Sequence, residues 1–192
     1  MIKSISLTIC LVSVSIILFI LTAATPKTNF NNSRMNQKSI YDFKLKTIDG
    51  DEITLAKFKG KKMLLINVAS QCGYTPQYKN LQALHEKYGS KVVLIGFPAN
   101  NFGKQEPGTN TEIKSFCTKN YGVSFLMMDK ISVVGNDAHP LYKWLSNKEE
   151  NGINQLAPNW NFCKYLIDEN GKIVKFFPSN VDPLSNDIIS LL

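Results

Sequence analysis

Residues 63–68 read MLLINV, a nearly unbroken apolar run of the kind a strand needs when a sheet is covered on both faces. The run passes through Ala69-Ser70-Gln71-Cys72-Gly73-Tyr74-Thr75-Pro76, in which Thr75 can cap a helix and Pro76 suits its first position. Tyr78, Leu81, Leu84 and Tyr88 then recur at roughly helical spacing, and Gly89 stops the pattern. A second apolar run over 92–97 follows at once. Strand, helix and strand at this spacing predict a βαβ unit with a parallel pair, and so an α/β fold. Cys72 then lies just beyond the carboxyl end of a central strand, in the turn feeding a helix amino terminus. Unpaired N–H groups and the helix dipole favour a thiolate there. A free cysteine is more commonly a small buried hydrophobe, and position alone leaves both roles open.

With 192 residues, 44% of them hydrophobic and 19% charged, the chain suits one ordinary domain with a sizeable core. Residues 1–24 stand apart. Lys3 precedes an uncharged run over 5–21, followed by Thr22, Ala23 and Ala24, the pattern of an export signal that is either cleaved or kept as an anchor. The run is long for a signal core and slightly short for a spanning helix, and Ser6, Thr8, Ser13 and Ser15 weaken the anchor reading. In either case Lys3 predicts that the rest of the chain crosses the membrane, to a periplasmic, secreted or membrane-anchored destination outside the cytoplasm. A polar linker over 25–38 leads into the domain, residues 39–192. The net charge of +7 comes from scattered lysines, as on a solvated surface, so nucleic-acid binding is not indicated, while weak attraction to an anionic membrane surface stays open.

Cys10 belongs to the leader, which leaves Cys72, Cys117 and Cys163. An odd number does not fit a fully paired framework, so at least one thiol is free or reactive. There is no C-x-x-C pair, and His85 and His139 stand alone, which argues against zinc and against a plain dithiol site. Neither a metal nor a cofactor is expected.

Three motifs are more specific: NVASQCGYT at 67–75, FPANNFGKQEPG at 97–108, and WNF at 160–162 ahead of a final hairpin. On these the chain resembles the glutathione peroxidase family, in its cysteine-containing, thioredoxin-dependent form, over residues 39–192. The resemblance implies a thioredoxin-like α/β fold, a central mixed sheet flanked by helices. It also implies peroxidase activity on hydrogen peroxide and organic or lipid hydroperoxides, with Cys72, Gln105, Trp160 and Asn161 as the catalytic set. Cys72 stands where some members carry selenocysteine. The chemistry suits these residue types. A free thiol with a pKa of about 8.5 is only a few per cent thiolate at neutral pH. The amide N–H groups of Gln105 and Asn161 and the indole N–H of Trp160 are neutral donors able to favour the anion. The same donors could stabilise the departing oxygen, and the product would be a sulfenic acid at Cys72.

Thr109 and Glu112 form a capping box for a helix on which Ile113, Phe116 and Cys117 share one face. Thioredoxin-dependent members of the family carry a resolving cysteine in a context matching Phe116-Cys117-Thr118, so the resemblance implies that Cys117 forms a disulfide with Cys72. That requires the two α-carbons to approach within about 7 Å, and local unwinding of this helix is expected during the cycle. Two positions depart from the family: Asn101 replaces a common Gln, and Phe176 replaces an Arg found in many relatives. Loss of that arginine removes a partner for carboxylates and argues against specific glutathione binding. A thioredoxin-like protein is therefore the expected reductant. Direct use of glutathione is the alternative, and a non-enzymatic redox sensor or thiol-binding module is the alternative of another class. Residues 147–159 lack the long insertion of tetrameric relatives, which favours a monomer. Cys163 reads as core. The remaining pattern predicts a hairpin over 39–55 about Asp49-Gly50, a helix over 139–145, a hairpin of 162–167 with 172–177 about Asn170-Gly171, and a short helix over 185–192.

Overall fold

The computed structural model describes residues 38–192; the leader over 1–24 and the linker through residue 37 lie outside the described residues. A single turn of 3-10 helix at Ile40–Asp42, closed by a reciprocal capping box between Ser39 and Asp42, opens the domain. It leads into the antiparallel hairpin β1 (Lys44–Lys46) and β2 (Glu52–Thr54). The hairpin turns at Gly50, whose φ of +91° is open to a residue without Cβ.

The expected βαβ unit follows: β3 (Lys62–Val68), α1 (Gln77–Tyr88) and β4 (Val92–Pro98), with β3 and β4 in parallel register. After α2 (Asn110–Tyr121), β5 (Leu126–Met127) joins the far side of β4, again in parallel. Two short helices, α3 (Pro140–Leu145) and α4 (Lys148–Asn151), precede β6 (Lys164–Ile167) and β7 (Ile173–Phe177). β6 pairs antiparallel with the free side of β3, which gives a mixed sheet in the order β5-β4-β3-β6-β7, and α5 (Asn186–Ile189) ends the chain.

The position of β3 at the middle of this sheet explains its composition. Successive side chains leave opposite faces of a strand, and both faces are covered. Met63 and Leu65 pack into a cluster with Leu141, Tyr142 and Trp144 of α3. Leu64, Ile66 and Val68 pack into a second cluster with Tyr78, Leu81 and Leu84 of α1 and with Ile113 and Cys117 of α2. α1 and α2 therefore share the face of the sheet that carries both the Cys72 turn and Cys117. Cys163 is fully buried, as expected of a core residue. His139 caps α3, its Nδ1 accepting the Leu141 N–H at 3.1 Å.

β6 starts two residues later than the apolar pattern suggests. Phe162 adopts φ +65°, a left-handed conformation that no extended strand can continue and that is costly for a bulky residue. It is held there from two sides. Its N–H donates to the Asn67 carbonyl at 2.6 Å, and its ring meets Tyr78 edge-on at 5.4 Å. Next to it, Lys164 is a buried cation whose Nζ donates to Gln77 Oε1 at 2.6 Å and to the Val181 carbonyl. It ties the first turn of α1 to β6 and to the segment after β7, and burial draws its amine down to about 8.

Candidate active site

Cys72 occupies the turn between β3 and α1, and its neighbours fix that turn. Thr75 does not cap the helix. Its Oγ1 accepts the Cys72 N–H at 2.9 Å and donates to the Ala69 carbonyl at 2.8 Å, and its own N–H reaches the Cys72 carbonyl at 3.0 Å. Thr75 is itself buried, so its hydroxyl is drawn to backbone groups that water cannot reach. Pro76 takes the cap position of α1 with no side-chain bond. Cys72 is left 8% exposed at the head of α1, and its sulfur accepts the Tyr74 N–H at 3.4 Å.

Segments distant in sequence converge on the same end of β3. The Gln71 N–H donates to the Gln105 carbonyl at 3.0 Å, which ties the second motif to the residue beside Cys72. The Asn67 side chain donates to the Trp160 carbonyl at 2.9 Å, which holds the third motif at the last turn of the same strand. Gln105 and the fully buried Asn161 meet directly, the Asn161 amide nitrogen donating to Gln105 Oε1 at 3.0 Å. Trp160 is 39% exposed, with its ring 5.8 Å from that of Phe102. The four residues of the expected set are thus gathered at one end of the sheet. In this resting arrangement the Asn161 amide serves Gln105 rather than the sulfur, and among the described residues the donor to the sulfur is Tyr74. With its oxygen occupied by Asn161, Gln105 keeps its own NH₂ available as a donor.

Glu106 has no counterpart in the sequence reading, although it lies within the second motif. It is fully buried, accepts the Ser70 hydroxyl at 2.7 Å on Oε1, and has no hydrogen-bond partner for Oε2 among the described residues. Burial raises its carboxyl to about 7, against the Ser70 hydrogen bond and the Lys130 charge, which act to lower it. Nothing in the sequence separates this glutamate from an exposed loop acid. Only its packing does so.

Cys117 sits on α2 as predicted, beneath the Thr109–Glu112 capping box, and is 1% exposed. Burial pushes its thiol up to about 11; the neighbouring Tyr78 hydroxyl opposes the shift and the Glu106 carboxylate adds to it. Cys72, Cys117 and Cys163 are all free thiols. Between the Cys72 turn and α2 lies a cavity of about 450 Å³ lined by Ser70, Gln71, Glu106, Pro107, Ile113 and Phe116. Its walls therefore include the chain neighbour of each cysteine. Asn101, one of the two departures from the family pattern, clamps the next loop, accepting the Val133 N–H at 2.9 Å and donating to Ser132 Oγ at 2.8 Å. Phe176, the other, lies on β7 with its ring 5.0 Å from Tyr165.

The chain is similar to known proteins. The family profile described as glutathione peroxidase matches residues 40–146. The chain is 45% identical over 157 residues to the glutathione peroxidase-like peroxiredoxin 2 of Saccharomyces cerevisiae, covering 80% of this chain and 97% of that protein. It is 43% identical over 164 residues to the hydroperoxy fatty acid reductase gpx1 of Synechocystis, covering 80% and 96%. The crystal structure of T. cruzi GPX1 superposes with a TM-score of 0.59 at 33% identity, covering 80% of this chain and 93% of that one. The fold is thioredoxin-like, as the resemblance implied. With a thiol set at the head of α1, three motifs closing around it, and this similarity along nearly the whole length of its relatives, the chain belongs to the glutathione peroxidase family and is a peroxidase.

Proposed function

We propose that this protein is an exported, monomeric two-cysteine thiol peroxidase. The Cys72 thiolate attacks the peroxide O–O bond, takes one oxygen as a sulfenic acid, and releases the other as water or an alcohol. Gln105, Trp160 and Asn161 supply neutral N–H donors to the charge that moves from sulfur to the departing oxygen, the Asn161–Gln105 bond exchanging for bonds to the reacting atoms. Cys117 then attacks the sulfenic sulfur, water leaves, and the Cys72–Cys117 disulfide is reduced by a thioredoxin-like dithiol. The observation that carries this reading is the cavity walled on one side by Gln71 and on the other by Phe116. It is open space between the two thiol-bearing segments, into which α2 can deliver Cys117.

The burial of Cys117 supports the expected unwinding. With its thiol near 11 in the closed helix, it supplies almost no nucleophile at neutral pH, so it has to leave its site to react. Phe176 in place of an arginine favours a protein dithiol over glutathione. The leader and its Lys3 support export, and the short segment over 147–159 supports a monomer. A scattered positive surface would let the domain work beside an anionic membrane, where hydroperoxides of lipid chains arise.

Mass spectrometry of the reduced protein after one equivalent of hydrogen peroxide tests the cycle. A Cys72–Cys117 disulfide is expected in the wild type, a persistent sulfenic acid in Cys117→Ser, and no peroxide consumption in Cys72→Ser. Full turnover of Cys117→Ser with a thioredoxin-like donor would refute the resolving role.

A further inference from the structure

Glu106 is the one fully buried carboxyl group among the described residues, and neither of the ion pairs found there involves it. A carboxylate held this way is expensive, because burial removes its water and nothing compensates one of its oxygens. Its location gives that expense a use. Oε1 is bonded to Ser70, two residues ahead of Cys72. The main chain three residues further on is the Thr109 cap of α2, the helix that carries Cys117. Glu106 is also one of the residues around the cavity that separates the two segments.

We propose that Glu106 is the general base and acid of the resolving step, taking the proton from Cys117 Sγ as that thiol enters the cavity and passing it to the oxygen that leaves Cys72. The proposal rests on the two-cysteine cycle above. In the step, the Cys117 S–H bond and the sulfenic S–O bond break and the S–S bond forms. The oxygen departs as water carrying the transferred proton, and Glu106 begins and ends as a carboxylate. In the closed helix the transfer is uphill, since the thiol near 11 faces a carboxyl near 7. It becomes favourable once Cys117 leaves its apolar bed, which keeps the resolving thiol inert until α2 opens. A base that titrates near neutral pH is well matched to this work. The charged and titratable groups around it are Tyr78 on α1, Glu112 and Cys117 on α2, and Lys130 beyond β5. Lys130 Nζ is already engaged by the carbonyls of Gly108 and Glu106.

The test follows the reduced full chain after rapid mixing with one equivalent of hydrogen peroxide, trapping the Cys72 sulfenic acid and the disulfide separately. In Glu106→Gln disulfide formation should slow on the order of 10²-fold relative to sulfenic acid formation in the same protein. In the wild type the disulfide rate should rise with pH through about 7, as the carboxylate forms. That limb should vanish in Glu106→Gln, persist in Glu106→Asp, and return in part when formate is added to Glu106→Gln. A Glu106→Gln protein that closes its disulfide at the wild-type rate with the wild-type pH profile overturns the proposal. Should Glu106→Gln not fold, a wild-type profile without an inflection near pH 7 overturns it equally. Wild-type protein that stops at the sulfenic acid refutes the two-cysteine cycle itself, an outcome distinct from the others because it needs no variant.

Discussion

At the scale of single residues, the reactive sulfur owes its place to a threonine. Thr75 links the N–H of Cys72 to the carbonyl of Ala69 through one buried hydroxyl, and the turn has no other side chain that does both. Thr75→Val preserves the shape and removes both bonds. Leaving a buried N–H unpaired should lower stability by about 1–3 kcal/mol in a denaturant titration. Because the sulfur is then less well held, the second-order rate of Cys72 oxidation by peroxide should fall about tenfold or more. A variant with unaltered stability and rate would show that the helix terminus alone positions the thiol. The sequence identifies Thr75 as a residue fond of helix starts, a statistical preference that applies to exposed caps. It cannot reveal that the hydroxyl would be buried where backbone groups inside the turn compete for it. Glu106 is the same lesson in a charged residue: its identity is plain in the motif, and its burial is a property of what packs over it.

At the scale of elements, the proposed cycle requires α2 to open. Of its twelve residues only Ile113 and Cys117 are buried, so little apolar contact holds it to the sheet. Its ends carry much of its definition. A reciprocal capping box at Thr109 and Glu112 closes one end, and Gly122 at φ +62° closes the other. Thr109→Ala removes the box and should destabilise the closed helix by about 1 kcal/mol. If opening precedes disulfide formation, the resolving step should speed up by as much as about fivefold, and amide hydrogens over 113–121 should exchange faster by a similar factor. Slower resolution in this variant would mean that an intact helix, rather than an opened one, presents Cys117. Both the box and the apolar face are legible in the sequence because they depend on neighbours three and four positions apart.

For the molecule as a whole, the site is a junction of three chain segments at the end of β3, and Phe162 is the point where the last of them is locked. Its left-handed backbone turns Asn161 back toward Gln105, while its ring packs on Tyr78 of α1. Phe162→Ala should lower stability by about 3–5 kcal/mol, as for other large core truncations. It should also reduce peroxidase activity more than an equally destabilising change on the α3 side of the sheet, measured at a temperature where both variants stay folded. Equal losses would separate Phe162 from the site. The sequence by itself determined the βαβ unit, the hairpins, the Thr109–Glu112 capping box and the identity of the candidate catalytic residues. Each of these follows from periodicity, from turn chemistry or from a motif that survives along a linear chain. Only the tertiary structure decided that Phe162 would leave the strand, that Asn161 would pair with Gln105, that Lys164 would be buried, and that Glu106 would be buried between the segments bearing Cys72 and Cys117. Those facts depend on which distant surfaces exclude solvent from one another, and desolvation is a property of the packed molecule.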